Sequence, residues 1–160
     1  MKFSFSEIQD IVDIKGKKVF LRIDFNVAIK DGRVVETHRI DRSLKTLNFL
    51  RKNGTRTLLV SHRSDDLASL YPVYDYLRSI YPIVFIKDIS EILSALNNAP
   101  NGSFVLLENI RQFAGEREND DKFAEQLSQG FDLYINNDFA VSHRNHVSIS
   151  AVTKFLPSYA

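Results

Sequence analysis

Three of the four histidines in this chain are followed directly by arginine: His38-Arg39, His62-Arg63 and His143-Arg144. A guanidinium group is a planar fork of N–H donors that matches a carboxylate or a phosphate, and an imidazole adds a further donor. If the loops that carry these pairs converge, they form a pocket for a multiply charged, phosphate-bearing anion. An isolated loop arginine is usually a solvated surface charge, so this interpretation depends on the whole set.

Two other chemistries are weaker interpretations of the histidines and aspartates in this chain. His143 and His146 beside Asp138 could ligate a metal, but two histidines and one acid without a fourth fixed ligand are a weak signal. Asp24 ahead of Asp31-Gly32 weakly resembles the aspartate loop of phosphatases, although the spacing is wrong. We therefore predict no metal site in this chain.

Short apolar runs and segments of helical spacing alternate along the chain and indicate what positions these residues. The predicted strands are Lys18–Asn26, Thr57–Ser61, Ile83–Ile86, Phe104–Leu107 and Leu133–Ile135. The predicted helices are Asp41–Asn53, Leu70–Ile80, Ser90–Leu96 and Asp120–Gln129. This alternation predicts a doubly wound, Rossmann-like α/β fold, with a mainly parallel sheet and helices on both faces. Because no repeat or linker interrupts it, we predict one domain over residues 1–160.

Local signals mark the ends of several of these elements. Asp41 is predicted as the N-cap of the first helix, and Gly54 and Gly130 are predicted to end two helices. Asp31-Gly32 predicts a tight turn between short extended arms.

Polar clusters follow four of the predicted strands, at residues 24–26, 61–63, 108–111 and 136–146. Ligands of open α/β sheets bind beyond the carboxyl ends of the strands. Loops are usually polar, but four clusters that share one edge of a parallel sheet favour a binding site.

Composition excludes several classes of protein and of site. The net charge of +1 gives no global indication of nucleic-acid or membrane binding. The absence of cysteine excludes a disulfide scaffold, a thiolate nucleophile and a cysteine zinc site. The start of the sequence does not resemble a signal peptide, and no apolar run approaches the roughly 20 residues that span a bilayer. We expect a cytoplasmic protein.

The six glycines are scattered, which bears on nucleotide binding. Neither G-x-x-x-x-G-K-[ST] nor G-x-G-x-x-G occurs, so both common phosphate-binding loops are missing. We expect that this chain alone binds no ATP.

A series of segments resembles the signatures of the phosphoglycerate kinase family, in the family's order. They are Arg22–Val27 (RIDFNV, similar to R-[VI]-D-F-N-V-P), Thr37–Ile40 (THRI, similar to T-R-I), Ser61-His62 (the start of S-H-L-G-R-P), Leu106–Arg111 (LLENIR, similar to L-L-E-N-L-R), Asn136–His146 (NNDFAVSHRNH, similar to N-D-A-F-G-T-A-H-R-A-H) and Lys154–Ser158 (KFLPS, similar to K-Y-L-P-S). The resemblance runs from about Lys17 to the last residue.

The resemblance implies the N-terminal domain of such a kinase, which binds 3-phosphoglycerate through a basic patch. A second domain, which binds Mg-ATP or ADP, closes on it, and a phosphoryl group moves between 1,3-bisphosphoglycerate and ADP in glycolysis. The residues implied to contact the substrate are Asp24, Asn26, Arg39, His62, Arg111 and Arg144. Arg39 is also the implied catalytic residue, which stabilises charge on the phosphoryl group in flight.

Kinases of this family continue well past K-Y-L-P-S, so the C-terminal nucleotide-binding domain is absent from these 160 residues. We expect a piece of a longer enzyme rather than a natural stand-alone domain. The resemblance then implies a chain that holds no nucleotide cofactor, acts as a monomer and lacks turnover alone.

One departure from the family keeps a second hypothesis open. Residues Arg63–Asp66 (RSDD) stand where the family has L-G-R-P, and Asp65 aligns with a substrate arginine. This reverses a charge, although Arg63 is a candidate substitute from two residues earlier. The alternative is a divergent, non-enzymatic module that keeps the fold and binds a partner with its open face.

Overall fold

The computed structural model describes residues 8–160 of the chain. Its strands are β1 (Lys18–Ile23), β2 (Ile29–Lys30), β3 (Arg33–Val34), β4 (Arg56–Val60), β5 (Ile83–Ile86), β6 (Phe104–Leu107), β7 (Leu133–Asn137) and β8 (Ser158–Tyr159). Six of them form one sheet in the order β5-β6-β4-β1-β7-β8, and every neighbouring pair in it is parallel. The other two, β2 and β3, form a short antiparallel hairpin.

Helices cover both faces of the sheet. They are α1 (His38–Lys52), α2 (Tyr71–Leu77), α3 (Ile92–Asn98) and α4 (Asp121–Ser128). One apolar cluster joins α1 and α2 to alternate side chains of β1, such as Val19 and Leu21, and a second joins α3 and α4 to Phe20 between them. Because successive strand residues point to opposite faces, this division confirms the doubly wound fold.

The first helix begins earlier than predicted. The predicted N-cap, Asp41, is wrong: α1 starts at His38, with Thr37 at the cap position. The Glu36 carboxylate accepts from the backbone N–H of His38, and Asp41 accepts from the Thr37 hydroxyl at 2.8 Å. Two carboxylates thus stabilise the first turn, where the helix dipole favours negative charge.

No helix in residues 8–160 is both long enough and apolar enough to cross a membrane.

Two turn predictions are confirmed by backbone angles. Asp31 and Gly32 have φ of 51° and 72°, as the tight turn of the β2–β3 hairpin requires. Gly54 and Gly130, just beyond α1 and α4, have φ of 65° and 80°. The last strand, β8, was not predicted, because two residues are too few to show a period.

The winding of the chain leaves a crevice beside β1. From β1 the chain moves to β4 on one side, and later it crosses from β6 to β7 on the other side. Ligands of open α/β sheets bind where the winding reverses, outside the carboxyl ends of the strands. Here that position lies at Asp24 and Asp138, the residues that follow β1 and β7.

Candidate functional site

A buried arginine on β1 organises the carboxyl edge of the sheet. Arg22 is 1% exposed. Its Nε donates to Ser148 Oγ at 2.9 Å, and its Nη1 donates to Asp138 Oδ2 at 2.8 Å. Its Nη2 lies 2.9 Å from Nδ1 of His62. A guanidinium group is costly to bury unless it is paired and hydrogen-bonded, so these partners hold Arg22 in place.

A second buried carboxylate extends this network. Glu116 accepts from the Ser148 backbone N–H at 2.9 Å and from its hydroxyl at 2.5 Å. Tyr134 of β7 donates its hydroxyl to the Ser148 carbonyl at 2.8 Å. Burial raises the pKa of Glu116, and the hydrogen bonds from Ser148 and the charge of Arg22 oppose that shift. The network therefore ties the loop after β7 to the body of the sheet.

His62, which follows β4, is held as a neutral ring with a defined tautomer. Arg22 can only donate, so Nδ1 of His62 must accept and the ring proton must lie on Nε2. Burial, and then the positive charges of Arg22 and its other basic neighbours, lower the pKa of His62 to about 3. Asp138 lies 3.6 Å from Nδ1, beyond hydrogen-bonding distance. At neutral pH the ring is therefore an uncharged donor through Nε2–H.

The cavity beside β1 is lined by an ion pair. Arg39 Nη1 donates to Asp24 Oδ2 at 2.7 Å, and the Arg39 side chain is 41% exposed. The cavity has a volume of about 170 Å³ and lies between the carboxyl ends of β1 and β7. Its lining residues are Asp24, Arg39, Arg42, Ser43, Asn137, Phe139 and Ala140.

The third predicted contact near β1, Asn26, is already engaged. Its Nδ2 donates to the Ser64 hydroxyl at 2.7 Å, and its Oδ1 accepts from the Ser64 backbone N–H at 2.9 Å. These two bonds fasten the loop after β1 to the loop after β4. A ligand that uses the Asn26 amide must therefore exchange with one of them.

Arg111 lies in the short turn after β6 and is almost fully enclosed. Its side chain is 7% exposed, and its Nη1 donates to the Arg63 carbonyl at 3.2 Å. Its Nε is buried and has no hydrogen-bond partner. Burial, and then the charges of Arg117 and Arg144, lower the pKa of Arg111. Positive charge is therefore concentrated around this side chain.

Three of the predicted arginines, Arg39, Arg111 and Arg144, act electrostatically on residues of the buried network. Arg39 and Arg111 both lower the pKa of Asp138, which burial raises. Arg111 and Arg144 both lower the pKa of His62. The exposed Arg144, in the loop after β7, therefore belongs to the same region as Arg111. Arg39, Arg111 and Arg144 therefore each lie near the buried network of Arg22, Asp138 and His62, although only Arg39 lines the cavity beside β1.

In the loop Arg63–Asp66, the acidic residue that faces the basic side chains is not the one that the alignment indicated. Asp65, aligned with a substrate arginine, is exposed and accepts from the backbone N–H of Leu67 at 2.9 Å. The next residue, Asp66, is the one that faces the basic residues, since its Oδ1 accepts from Arg117 at 2.6 Å. Arg63 does not take the place of the missing arginine, because its Nη1 donates to the Val27 carbonyl at 2.7 Å.

The geometry gives no support to the metal alternative. Asp138 is fully buried and engaged with Arg22, whereas His143 is exposed. Within the described part of the chain, no three or more histidine, aspartate and glutamate side chains are grouped so as to hold a metal ion.

Sequence reasoning missed the buried residues of this network, chiefly Arg22, Glu116 and Ser148. Arg22 did carry a signal, because a charged residue inside a buried apolar strand needs a partner. Ser148 carried none, since an isolated serine in a loop is unremarkable.

Residues 8–160 match the family model described as phosphoglycerate kinase. The chain belongs to this family. Phosphoglycerate kinase from Bartonella henselae is 40% identical over 161 aligned residues, which cover 94% of this chain and 41% of that protein. Phosphoglycerate kinase from the Wolbachia pipientis of Culex pipiens is 41% identical over 157 residues, which cover 92% of this chain and 40% of that protein.

Solved phosphoglycerate kinases share the fold. The enzyme from Coxiella burnetii superposes with a TM-score of 0.86 at 25% identity, over 98% of this chain and 41% of that one. The one from Pyrococcus horikoshii superposes with a TM-score of 0.85 at 23% identity, over 96% of this chain and 41% of that one. The chain therefore spans about two fifths of the length of the phosphoglycerate kinases it matches.

Proposed function

We propose that this chain is the substrate-binding half of a phosphoglycerate kinase and binds 3-phosphoglycerate at the carboxyl edge of its sheet. The observation that carries the proposal is the arrangement of Arg39, Arg111 and Arg144 around the buried Arg22–Asp138–His62 network. A trianionic ligand with a phosphate and a carboxylate matches such a cluster, since guanidinium groups bind both in a forked geometry.

The roles follow from the state of each side chain. Arg39 is half-exposed and pairs with Asp24 at the cavity. Its guanidinium group can therefore reach a ligand without first leaving a buried position. Neutral His62 contributes a hydrogen bond from Nε2 without adding to the repulsion among the arginines. The amide of Asn26, which is bonded to Ser64, and the carboxylate of Asp24, which is bonded to Arg39, would orient the ligand or its hydroxyl group.

Catalysis belongs to the complete enzyme in this proposal. Phosphoryl transfer is accelerated mainly by positioning and by fixed positive charge, and one arginine can contribute a factor of about 10³ or more. Arg39 would supply that charge. The nucleotide and its magnesium would bind a C-terminal domain beyond these 160 residues. We therefore propose that the chain alone is a cytoplasmic monomer that binds ligand without turnover.

Calorimetric titration of the chain with 3-phosphoglycerate tests the site. We expect saturable binding at millimolar ligand or below. Arg39→Ala should weaken it at least about tenfold, the typical loss for a charge-assisted hydrogen bond. Arg78→Ala is the matched control, because Arg78 is exposed and pairs with Asp75 at 2.8 Å on α2. An absence of binding, or equal affinity for parent and Arg39→Ala, would contradict the proposed site.

A coupled kinase assay tests the second part of the proposal. We expect no turnover from the 160-residue chain with ATP and 3-phosphoglycerate. Turnover that survives purification and disappears in Arg39→Ala would show that no further domain is needed.

One observation favours a second candidate, a non-enzymatic module of the same fold. A carboxylate of the chain, Asp66, already lies among Arg111 and Arg117. The genomic reading frame distinguishes the two. Continuation into a nucleotide-binding domain supports the kinase, and a stop codon after Ala160 supports the module.

A further inference from the structure

One aspartate lies where an anionic ligand would meet the basic cluster. Asp66 Oδ1 accepts from Arg117 Nη2 at 2.6 Å and lies 3.9 Å from Arg111 Nη1. The Asp66 and Arg117 side chains are 42% and 50% exposed, so both can move. Arg111 is almost fully enclosed, so it remains in place.

The side chain of Asn109 holds the backbone around Asp66 in this position. Asn109 Nδ2 lies 2.9 to 3.1 Å from three carbonyl oxygens of the loop, those of Asp65, Asp66 and Ala68. Asn109 Oδ1 accepts from the backbone N–H of Arg111 at 3.2 Å. One side chain therefore fixes both the loop that carries Asp66 and the turn that carries Arg111, and their proximity is built into the fold.

The positive charge of Arg111 is only partly compensated by its neighbours. Its buried Nε lacks a partner, and its Nη1 is bonded to a neutral carbonyl. Arg117 and Arg144 add like charge around it, and Asp66 opposes them. Because Asp66 lies 3.9 Å from Arg111 and accepts its short hydrogen bond from Arg117 instead, its charge offsets that of Arg111 only in part.

We propose that the Asp66 carboxylate competes with an anionic ligand for Arg111, so that it lowers the affinity of the site for anions. A bound phosphate must share Arg111 with the Asp66 carboxylate or displace it onto Arg117. This inference rests on the proposed function, because it concerns the same cluster of arginines.

The expected effect is tighter binding when this charge is removed. One unit charge about 6 Å from a ligand phosphate charge, at an effective dielectric constant of about 40 to 80, changes affinity by about three- to tenfold. Asp66→Asn keeps the shape of the side chain and removes the charge. Asp75→Asn is the matched control, because Asp75 is also in an exposed pair with arginine, at 2.8 Å from Arg78.

Two ligands separate this inference from the proposed function. Each chain is titrated calorimetrically with 3-phosphoglycerate and with inorganic pyrophosphate, which carries phosphate charge but no carboxylate. The shift of the Arg111 Nε–H signal in ¹⁵N NMR spectra reports where pyrophosphate binds. Thermal unfolding checks that Asp66→Asn remains folded, and Asp66→Ala repeats the test with a smaller side chain.

The inference is supported if Asp66→Asn binds either ligand about three- to tenfold more tightly, shifts the Arg111 signal at lower concentration, and Asp75→Asn matches the parent. If folded Asp66→Asn and Asp66→Ala bind neither ligand more tightly than the parent, the inference is overturned. Tighter pyrophosphate binding without any 3-phosphoglycerate binding would support the role of Asp66 and contradict the proposed substrate.

Discussion

The buried, neutral state of His62 predicts a measurable loss of stability in acid. The pKa of His62 in the folded chain is about 3, against 6.5 for an unperturbed histidine. Below pH 6.5 the unfolded chain binds a proton that the folded chain does not, so the free energy of unfolding falls as the pH falls. The slope is about 1.4 kcal/mol per pH unit. Continued to pH 3, the loss is roughly 4–5 kcal/mol, comparable with the roughly 5–15 kcal/mol that stabilises a typical domain.

Urea unfolding followed by circular dichroism, at several values of pH from 7.5 to 4.5, measures this slope. His62→Gln cannot bind the proton, so the free energy of unfolding should fall less steeply, by about 1.4 kcal/mol per unit below pH 6. The raised pKa of Glu116 gives a slope of opposite sign, but it is present in both chains and cancels in the difference. His38→Gln, at an exposed position, should follow the parent. If the parent and His62→Gln give parallel lines, His62 is not held neutral by burial and Arg22.

Two further substitutions test the packing beneath and beside the site. Arg22→Met leaves Asp138 buried without its partner and should cost about 3–5 kcal/mol, whereas Arg22→Met with Asp138→Leu should recover most of the loss. Equal unfolding free energies for the single and double variants, measured in urea, would show that the two charges are not coupled. Gly130→Ala should cost about 1–2 kcal/mol, because Gly130 has φ of +80° and its Cβ would lie 2.4 Å from Leu93 Cδ2. An unchanged melting temperature would contradict this.

The sheet was predictable because its strands are buried on both faces. Runs such as Phe104–Leu107 are uninterrupted apolar segments, as strands under two layers of helices must be. The parallel order then determined which polar residues meet at one edge. The start of α1 was less predictable, since Asp41, the predicted N-cap, lies inside the first turn and accepts from the Thr37 hydroxyl.

Partner choice within the site was not predictable from the sequence. Asp24 and Asp138 both follow strands beside Arg22, yet Asp24 pairs with Arg39 and Asp138 with Arg22. Similarly, alignment pointed to Asp65, but the hydrogen bonds of Asn109 turn the loop so that Asp66 faces the arginines. A shift of one residue in a loop changes which side chain faces the site, and tertiary contacts determine that shift.

The spacing of the Arg22 contacts along the chain has a consequence for biosynthesis. Its partners Asp138 and Ser148 lie 116 and 126 residues downstream. During translation Arg22 therefore lacks these two partners until residue 148 has left the ribosome, even if β1 pairs with β4 much earlier. The basic edge of the sheet is consequently completed only after Ser148 has emerged, and a nascent chain that stops before Ser148 has no finished binding surface.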